Sequence, residues 1–397
     1  MRSNGVLGSS DRHNLPLDSL RGLAALAVVL HHVTGADSFR ATFRHMGLFD
    51  VALFHHAYLF VDFFFVLSGV VIAMNYVHRA PDRFSSVDFA IKRFARVYPL
   101  HLFMLFAFLG FRIVRLSLSA LGILPESSAA NGNDLYSFVM NVLLLHGLGF
   151  TQELSWNGPS WSISAEFYTY LLFALVLVAC ATRRSRAGVY MVSALISLAS
   201  LAAILFVLGR PNMDFNYEFG ILRCTYGFFL GVLTYAATNR LAGHLTLPRI
   251  ARELWLWGAL VGGVAIVSLI EFAPDLAGFA APIFAILFAG LLLFPRGSLP
   301  GLLSVGSLVW LGRRSYSIYM THVLVIMTSE YVLKVIGMGR LAALDARVPG
   351  VPATALALAI IAVTLVISDW TYRNVELGGG NWTRRMLARR NATATAR

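Results

Sequence analysis

Apolar runs long enough to cross a bilayer recur along this chain from one end to the other. They fall at about 17–35, 51–77, 97–116, 134–150, 161–181, 188–209, 216–238, 254–271, 277–294, 315–335 and 351–372. Most are close to the ~20 residues a helix needs to span the hydrocarbon core. With 57% of residues apolar and only 13% charged, too few polar side chains exist to coat a water-soluble surface. The runs are continuous rather than alternating with a period of two, which predicts helices and not a transmembrane barrel. The fold class is therefore all-α, a polytopic membrane helix bundle. The first run carries Arg21, His31 and His32 and has no small-residue cleavage site behind it, so it is read as a retained helix and not a signal peptide.

Charge sets the topology. The segments "VHRAPDRFSSVDFAIKRFAR", "TRRSR", "NRLAGHLTLPRIARE" and "RNVELGGGNWTRRMLARRNATATAR" are basic, whereas "LGILPESSAANGND" and "EFAPDLAG" contain no Lys or Arg. An N-terminus inside the cell puts the basic segments on the cytoplasmic side only if 134–150 does not span. We therefore expect about ten transmembrane helices, a short interfacial or re-entrant helix at 134–150, and both termini in the cytoplasm. Lys334, Arg340 and Arg347 run against this count, while Trp255, Trp257, Trp310 and Trp370 fall where a cytoplasmic aromatic belt would lie. The net charge of +12 reads as positive-inside anchoring and not as a nucleic-acid footprint. Cys180 and Cys224 lie in apolar runs without metal-ligand spacing, and no nucleotide-binding or zinc motif is present. The sequence divides into a cytoplasmic segment at 1–16, a membrane domain at 17–372 and a basic cytoplasmic tail at 373–397. That placement discounts glycosylation at the Asn381 and Asn391 sequons.

Ionisable residues inside spans are costly, so each is a site candidate with a partner to be named. Arg21 and His32 are eleven residues apart, three helical turns plus ~20°, so they share a face about 16 Å apart along the axis. His31 points away from that face and is a neighbour and candidate orienter. Asp62 sits in "VDFFFVLSGVVIA" among aromatic residues and needs a histidine or arginine partner, while Ser68–Gly69 permits close helix approach. Arg93 and Arg96 in "KRFARVYP" share a face, and with Lys92 and Arg21 they would form a basic cluster suited to phosphates. Positive-inside anchoring explains the same charges. In "SWNGPSWSISAEFYTY", Ser162 and Glu166 are four apart beside Trp161, and in "SYSIYMTH" a stripe joins Tyr316, Tyr319 and His322. A structural hydrogen bond is the competing reading for each histidine.

Taken in order, "LDSLRGLAALAVVLHH", "VDFFFVLSGVVIA", "KRFARVYPLH", "SWSISAEFYTYL" and "SYSIYMTH" resemble the acyltransferase-3 family of bacterial membrane acyltransferases, over about residues 15–372. The resemblance implies transfer of an acyl group, usually acetyl, to a hydroxyl of a glycan or lipid-linked sugar, in the cytoplasmic (inner) membrane. It implies acetyl-coenzyme A as donor substrate, no permanently bound cofactor and no metal. The family pattern selects Arg21 and His32 on the first helix and maps its paired arginines onto Arg93 and Arg96. Its tryptophan–serine–glutamate region falls on Trp161, Ser162 and Glu166, although "AEFY" departs from the longer acidic run many members carry. Catalysis is thus assigned to His32, Glu166 and Asp62, with His32 as base or covalent acyl carrier. Donor binding goes to Arg21, Arg93 and Arg96, and support or acceptor contact to Trp161, Ser162, Tyr316, Tyr319 and His322. The esterase-like domain of many members is not seen in this sequence, which is expected to be a stand-alone membrane module. A polytopic transporter or flippase would use the same intramembrane charges, but no internal repeat of the kind such folds show is visible.

Overall fold

The structure, a computed structural model, describes residues 15–78, 84–122, 132–181 and 186–382. Most of the N-terminal segment, the basic stretches 79–83 and 182–185, and the tail from 383, with its Asn391 sequon, lie outside the described residues. In chain order the helices are α1 Leu15–Gly35, α2 Asp37–Thr42, α3 Ala52–His55, α4 Phe60–Tyr76, α5 Ser86–Ala120 and α6 Leu135–Val142. They continue as α7 Trp161–Ala181, α8 Arg186–Ala202, α9 Gly220–Leu241, α10 Arg249–Leu269 and α11 Ala280–Leu293. The series ends with α12 Ser298–Leu303, α13 Gly306–Arg313, α14 Ser315–Ile336, α15 Met338–Arg347 and α16 Val351–Thr371. No strand occurs among the described residues.

Among the described residues, nine helical stretches are long and apolar enough to cross a bilayer. α1, at 21 residues, is also long enough, and Asp18, Arg21, His31 and His32 make it the least apolar of the ten. The eight residues of α6 reach only about 12 Å. The run at 134–150 therefore holds no helix long enough to span, in keeping with the short helix expected there.

Two boundaries differ from expectation. The run at 51–77 is broken, with α3 and a 3-10 turn at Ala57–Leu59 preceding α4. The third span starts eleven residues earlier than its apolar run, because "KRFAR" continues the helix from a cap in which Ser85 Oγ accepts the Asp88 amide at 3.1 Å. α6 opens on a capping box between Asp134 and Ser137, and the hydrogen bonds from Ser137 hold the Asp134 carboxyl below the usual carboxylate range.

Small residues decide how closely the central helices approach. A Cβ on Gly69 of α4 would lie 1.9 Å from the Phe228 carbonyl oxygen of α9, and one on Gly231 would lie 2.0 Å from that of Val66. The Ser68–Gly69 pair thus has the packing role foreseen for it, against a matching glycine on α9. A second crossing brings α13 onto the start of α1, where a Cβ on Gly312 would meet the Asp18 carbonyl oxygen at 1.9 Å. Both contacts are backbone against backbone, so no side-chain rearrangement relieves them. Gly231→Val should therefore force α4 and α9 apart and cost at least the ~1–3 kcal/mol of an overpacked core. Thermal unfolding of the detergent-solubilised protein should show a clearly lowered midpoint, and an unchanged midpoint would contradict this packing.

Candidate active site

α1 carries the two ends of the site. Arg21 lies one and a half turns from the start of the helix and His32 lies near its other end. α14 runs beside it and presents Tyr316, Tyr319 and His322 in succession. Tyr316 serves the arginine end, Tyr319 the middle and His322 the histidine end.

At the arginine end, Arg21 lies within the field of both Arg96 and Glu166. Arg21 also lies 3.9 Å from Asp18. Arg96 pairs with the buried carboxylate of Glu376, whose other oxygen accepts from Ser317 Oγ at 2.8 Å. Its guanidinium lies 5.7 Å from the centre of the Tyr316 ring, and the Tyr316 hydroxyl donates to the Val97 carbonyl at 2.5 Å. Arg93 is held between the rings of Phe89 and Tyr170 at 5.8 and 5.7 Å. Its Nε is buried without a hydrogen-bond partner among the described residues. Tyr170 donates to Glu166 Oε1 at 2.6 Å and accepts from Ser68 at 2.8 Å. Tyr170 thus ties Glu166 and Ser68 together beside Arg93, whose buried Nε is left open, an arrangement suited to an anion.

At the histidine end, hydrogen bonds determine which nitrogens carry protons. His322 Nδ1 lies 2.6 Å from the Tyr319 carbonyl oxygen. A carbonyl only accepts, so Nδ1 is the protonated nitrogen and Nε2 keeps its lone pair. That lone pair faces His32 Nδ1 at 3.3 Å, and the same His32 nitrogen lies 2.9 Å from the Val28 carbonyl oxygen. His32 Nδ1 must therefore carry a proton and donate it to both. Its Nε2 is left as the basic nitrogen. The two rings meet edge to face with centroids 4.8 Å apart. The expected orienter, His31, is also edge-on to His32 at 5.1 Å, but its Nδ1 is engaged by the Phe54 carbonyl at 3.1 Å. The Val28 carbonyl sets the tautomer, and His322 is the imidazole whose lone pair the His32 Nδ1–H also reaches.

Between these ends the Tyr319 hydroxyl donates to the Pro159 carbonyl at 2.9 Å and shares a hydrogen bond with Ser162 Oγ at 2.8 Å. Trp161, next in the chain, lies 5.4 Å from the Arg223 guanidinium, and Tyr58 lies 5.9 Å from it. Asp62 meets that arginine with both oxygens, at 2.6 and 3.2 Å, and both side chains are buried. The arginine partner foreseen for Asp62 is thus found, and with both oxygens engaged the carboxylate positions Arg223 and the rings around it. Three residues were overlooked in the sequence. Arg223 stood visibly inside an apolar run. Tyr170 lay within a quoted motif. Glu376 gave no signal, because it follows the last apolar run in what was read as tail; there a π-helical segment, Tyr372–Glu376, continues α16 and turns the carboxylate inward. Among the described residues no group of three or more His, Cys, Asp or Glu is placed to hold a metal.

Removing one member of a buried ion pair leaves the other unpaired, at about 3–5 kcal/mol, whereas replacing both with apolar residues is often neutral. Arg223→Met alone should therefore lower the unfolding midpoint sharply. Adding Asp62→Leu should recover much of the loss. A double variant no better than the single one would show that the pair does more than neutralise itself.

Comparisons with known proteins identify the family. The family described as an acyltransferase domain, acyltransferase-3, matches residues 14–373. "Acyltransferase MdmB" of Streptomyces mycarofaciens is 35% identical over 164 residues, covering 40% of this chain and 38% of that protein. "Putative peptidoglycan O-acetyltransferase YrhL" of Bacillus subtilis is 26% identical over 337 residues, 80% of this chain and 49% of the relative. "O-acetyltransferase OatA" of Staphylococcus aureus is 23% identical over 348 residues, 81% of this chain and 52% of the relative. The chain thus spans about half the length, or less, of these curated relatives. No solved structure matches it. Covered by the family pattern over nearly its whole length, the chain belongs to the acyltransferase-3 family.

Proposed function

We propose that this protein is a membrane O-acetyltransferase that moves acetyl from acetyl-coenzyme A to a hydroxyl of a cell-surface or exported glycan. The observation that carries the reading is the His32–His322 pair, whose hydrogen bonds leave His32 Nε2 as a base on the same helix as Arg21. The names of two relatives, both O-acetyltransferases and one of peptidoglycan, support the acetyl group and the glycan. The basic segments support a bacterial cytoplasmic membrane, with the arginine end facing the cytoplasm.

In this reading Arg21, Arg93 and Arg96 receive the donor phosphates, and the buried Nε of Arg93 is a ready donor to them. Arg96 is held in place by Glu376, and Glu166 fixes Tyr170 against Arg93. The acyl thioester then lies toward His32, about 16 Å along α1. His32 Nε2 takes the proton of the acceptor hydroxyl as its oxygen attacks the thioester carbonyl. The imidazolium so formed is stabilised at Nδ1–H by the Val28 carbonyl and His322 Nε2, the supporting role a carboxylate has in hydrolytic triads. Collapse of the adduct expels the thiolate, which recovers the proton from His32. Ser162 and Tyr319 line the path beside Trp161, while Asp62 acts through Arg223.

Purified protein supplied with radiolabelled acetyl-coenzyme A and a glycan acceptor tests this directly. His32→Ala should reduce acceptor-dependent acetyl transfer by about 10²–10⁴-fold, the usual contribution of a general base. His322→Ala should give a smaller loss with the same protein fold. Full donor turnover by folded His32→Ala, or movement of solute across vesicles with no donor consumed, would contradict the proposal.

A further inference from the structure

A concavity of about 480 Å³ opens at the arginine end of the bundle, lined by Leu15, Ser304, Val309, Trp310, Arg313 and Tyr372 among others. Backbone contacts of Gly312 with Asp18, and of Gly22 with Leu311 and Gly312, hold α13 against the stretch of α1 that carries Arg21. Tyr372 opens the π-helical segment that ends in Glu376, the carboxylate engaging Arg96. The concavity therefore flanks the arginine cluster and is not part of it.

Two neighbouring arginines behave differently there. Arg314 is spent internally: its Nε donates to Asp369 at 2.5 Å and its Nη1 to the Trp310 carbonyl at 3.1 Å. Its guanidinium is stacked between the rings of Trp310 and Tyr372, with centroids at 4.1 and 4.9 Å. That stack holds the Trp310 indole rigid while leaving it 38% exposed. Arg313 is exposed and makes no hydrogen bond or ion pair that ties it to a described residue. A propped aromatic plate beside a free guanidinium offers stacking to a planar base and a bidentate fork to a phosphate. The volume lies within the ~300–1,000 Å³ of ordinary small-molecule sites.

We propose that this concavity binds the nucleoside-phosphate end of the acyl-coenzyme A donor, with Trp310 under the base and Arg313 on a phosphate. The inference rests on the donor assigned above. A donor whose thioester reaches His32, about 16 Å along α1 from Arg21, has its far end on the arginine side, and the concavity lies where that end would emerge. A lipid head-group would use the cation, and an interfacial aromatic belt would use the indole, but neither needs the two side by side in a concavity beside the arginine cluster.

The test compares acetyl-coenzyme A with acetyl-pantetheine, which lacks the nucleotide, in nanodiscs of phosphatidylcholine and of phosphatidylglycerol. In wild type, adenosine 3′,5′-bisphosphate should compete with acetyl-coenzyme A and not with acetyl-pantetheine. In Arg313→Ala and in Trp310→Leu, the ratio of kcat/KM for the full donor to that for the truncated one should fall at least tenfold in both lipids. Most of the change should lie in KM, and Trp310→Phe should restore much of it. A ratio that does not move, in variants that elute and melt like wild type, would overturn the proposal. So would a loss confined to phosphatidylglycerol, which would assign Arg313 to lipid. Failure of the donor reading itself looks different: wild type would then consume neither compound.

Discussion

Lipid supplies no hydrogen bonds, and that constraint accounts for the arrangement of this bundle's interior. Each ionisable side chain that enters the apolar region must be held by another group of the protein. Asp62 meets Arg223, Arg96 meets Glu376, and Glu166 receives Tyr170. The histidines complete themselves in sequence, Tyr319 carbonyl to His322 to His32. Satisfying these groups also assigns their chemistry. Once every neighbour's donor or acceptor role is fixed, His32 must carry a proton on Nδ1, and Nε2, the nitrogen not committed to the scaffold, is the one free to gain or lose a proton.

The same constraint joins the two ends of the site. α14 places a residue at each level, with Tyr316 beside Arg96, Tyr319 on Ser162 and Pro159, and His322 on His32. A single rigid helix thereby registers the arginine cluster against the histidine pair, and α1 does so from the other side. The close backbone contacts at Gly69–Gly231 and Gly312–Asp18 fix the heights of the surrounding helices. A donor long enough to join the two ends meets a spacing set by helix rise and not by loops.

Much of this was legible in the sequence, for physical reasons that can be named. Helix length led to an expectation of about ten spans, of which nine among the described residues are long and apolar enough to cross a bilayer, and to the short helix near 134–150. Helical phase put Arg21 and His32 on one face and excluded His31. Phase along one helix says nothing about which helix lies opposite, so the partner of His32 was sought in His31, its sequence neighbour, and found in His322, 290 residues away. Arg223 was visible as a charge in an apolar run, yet its partner depended on the α4–α9 crossing. Glu376 was beyond reach, since a polar residue past the last apolar run looks like tail until the π-helical turn brings it inside.

The central claim is the protonation pattern of His32, and it is open to direct observation. Nitrogen-15 NMR of histidine-labelled protein, with His32 assigned by its loss in His32→Gln, reports which imidazole nitrogen carries the proton. The structure predicts a proton on Nδ1, and the proposed role as base requires Nε2 to be bare in the resting enzyme. A His32 protonated at Nε2, or already an imidazolium, would contradict the account.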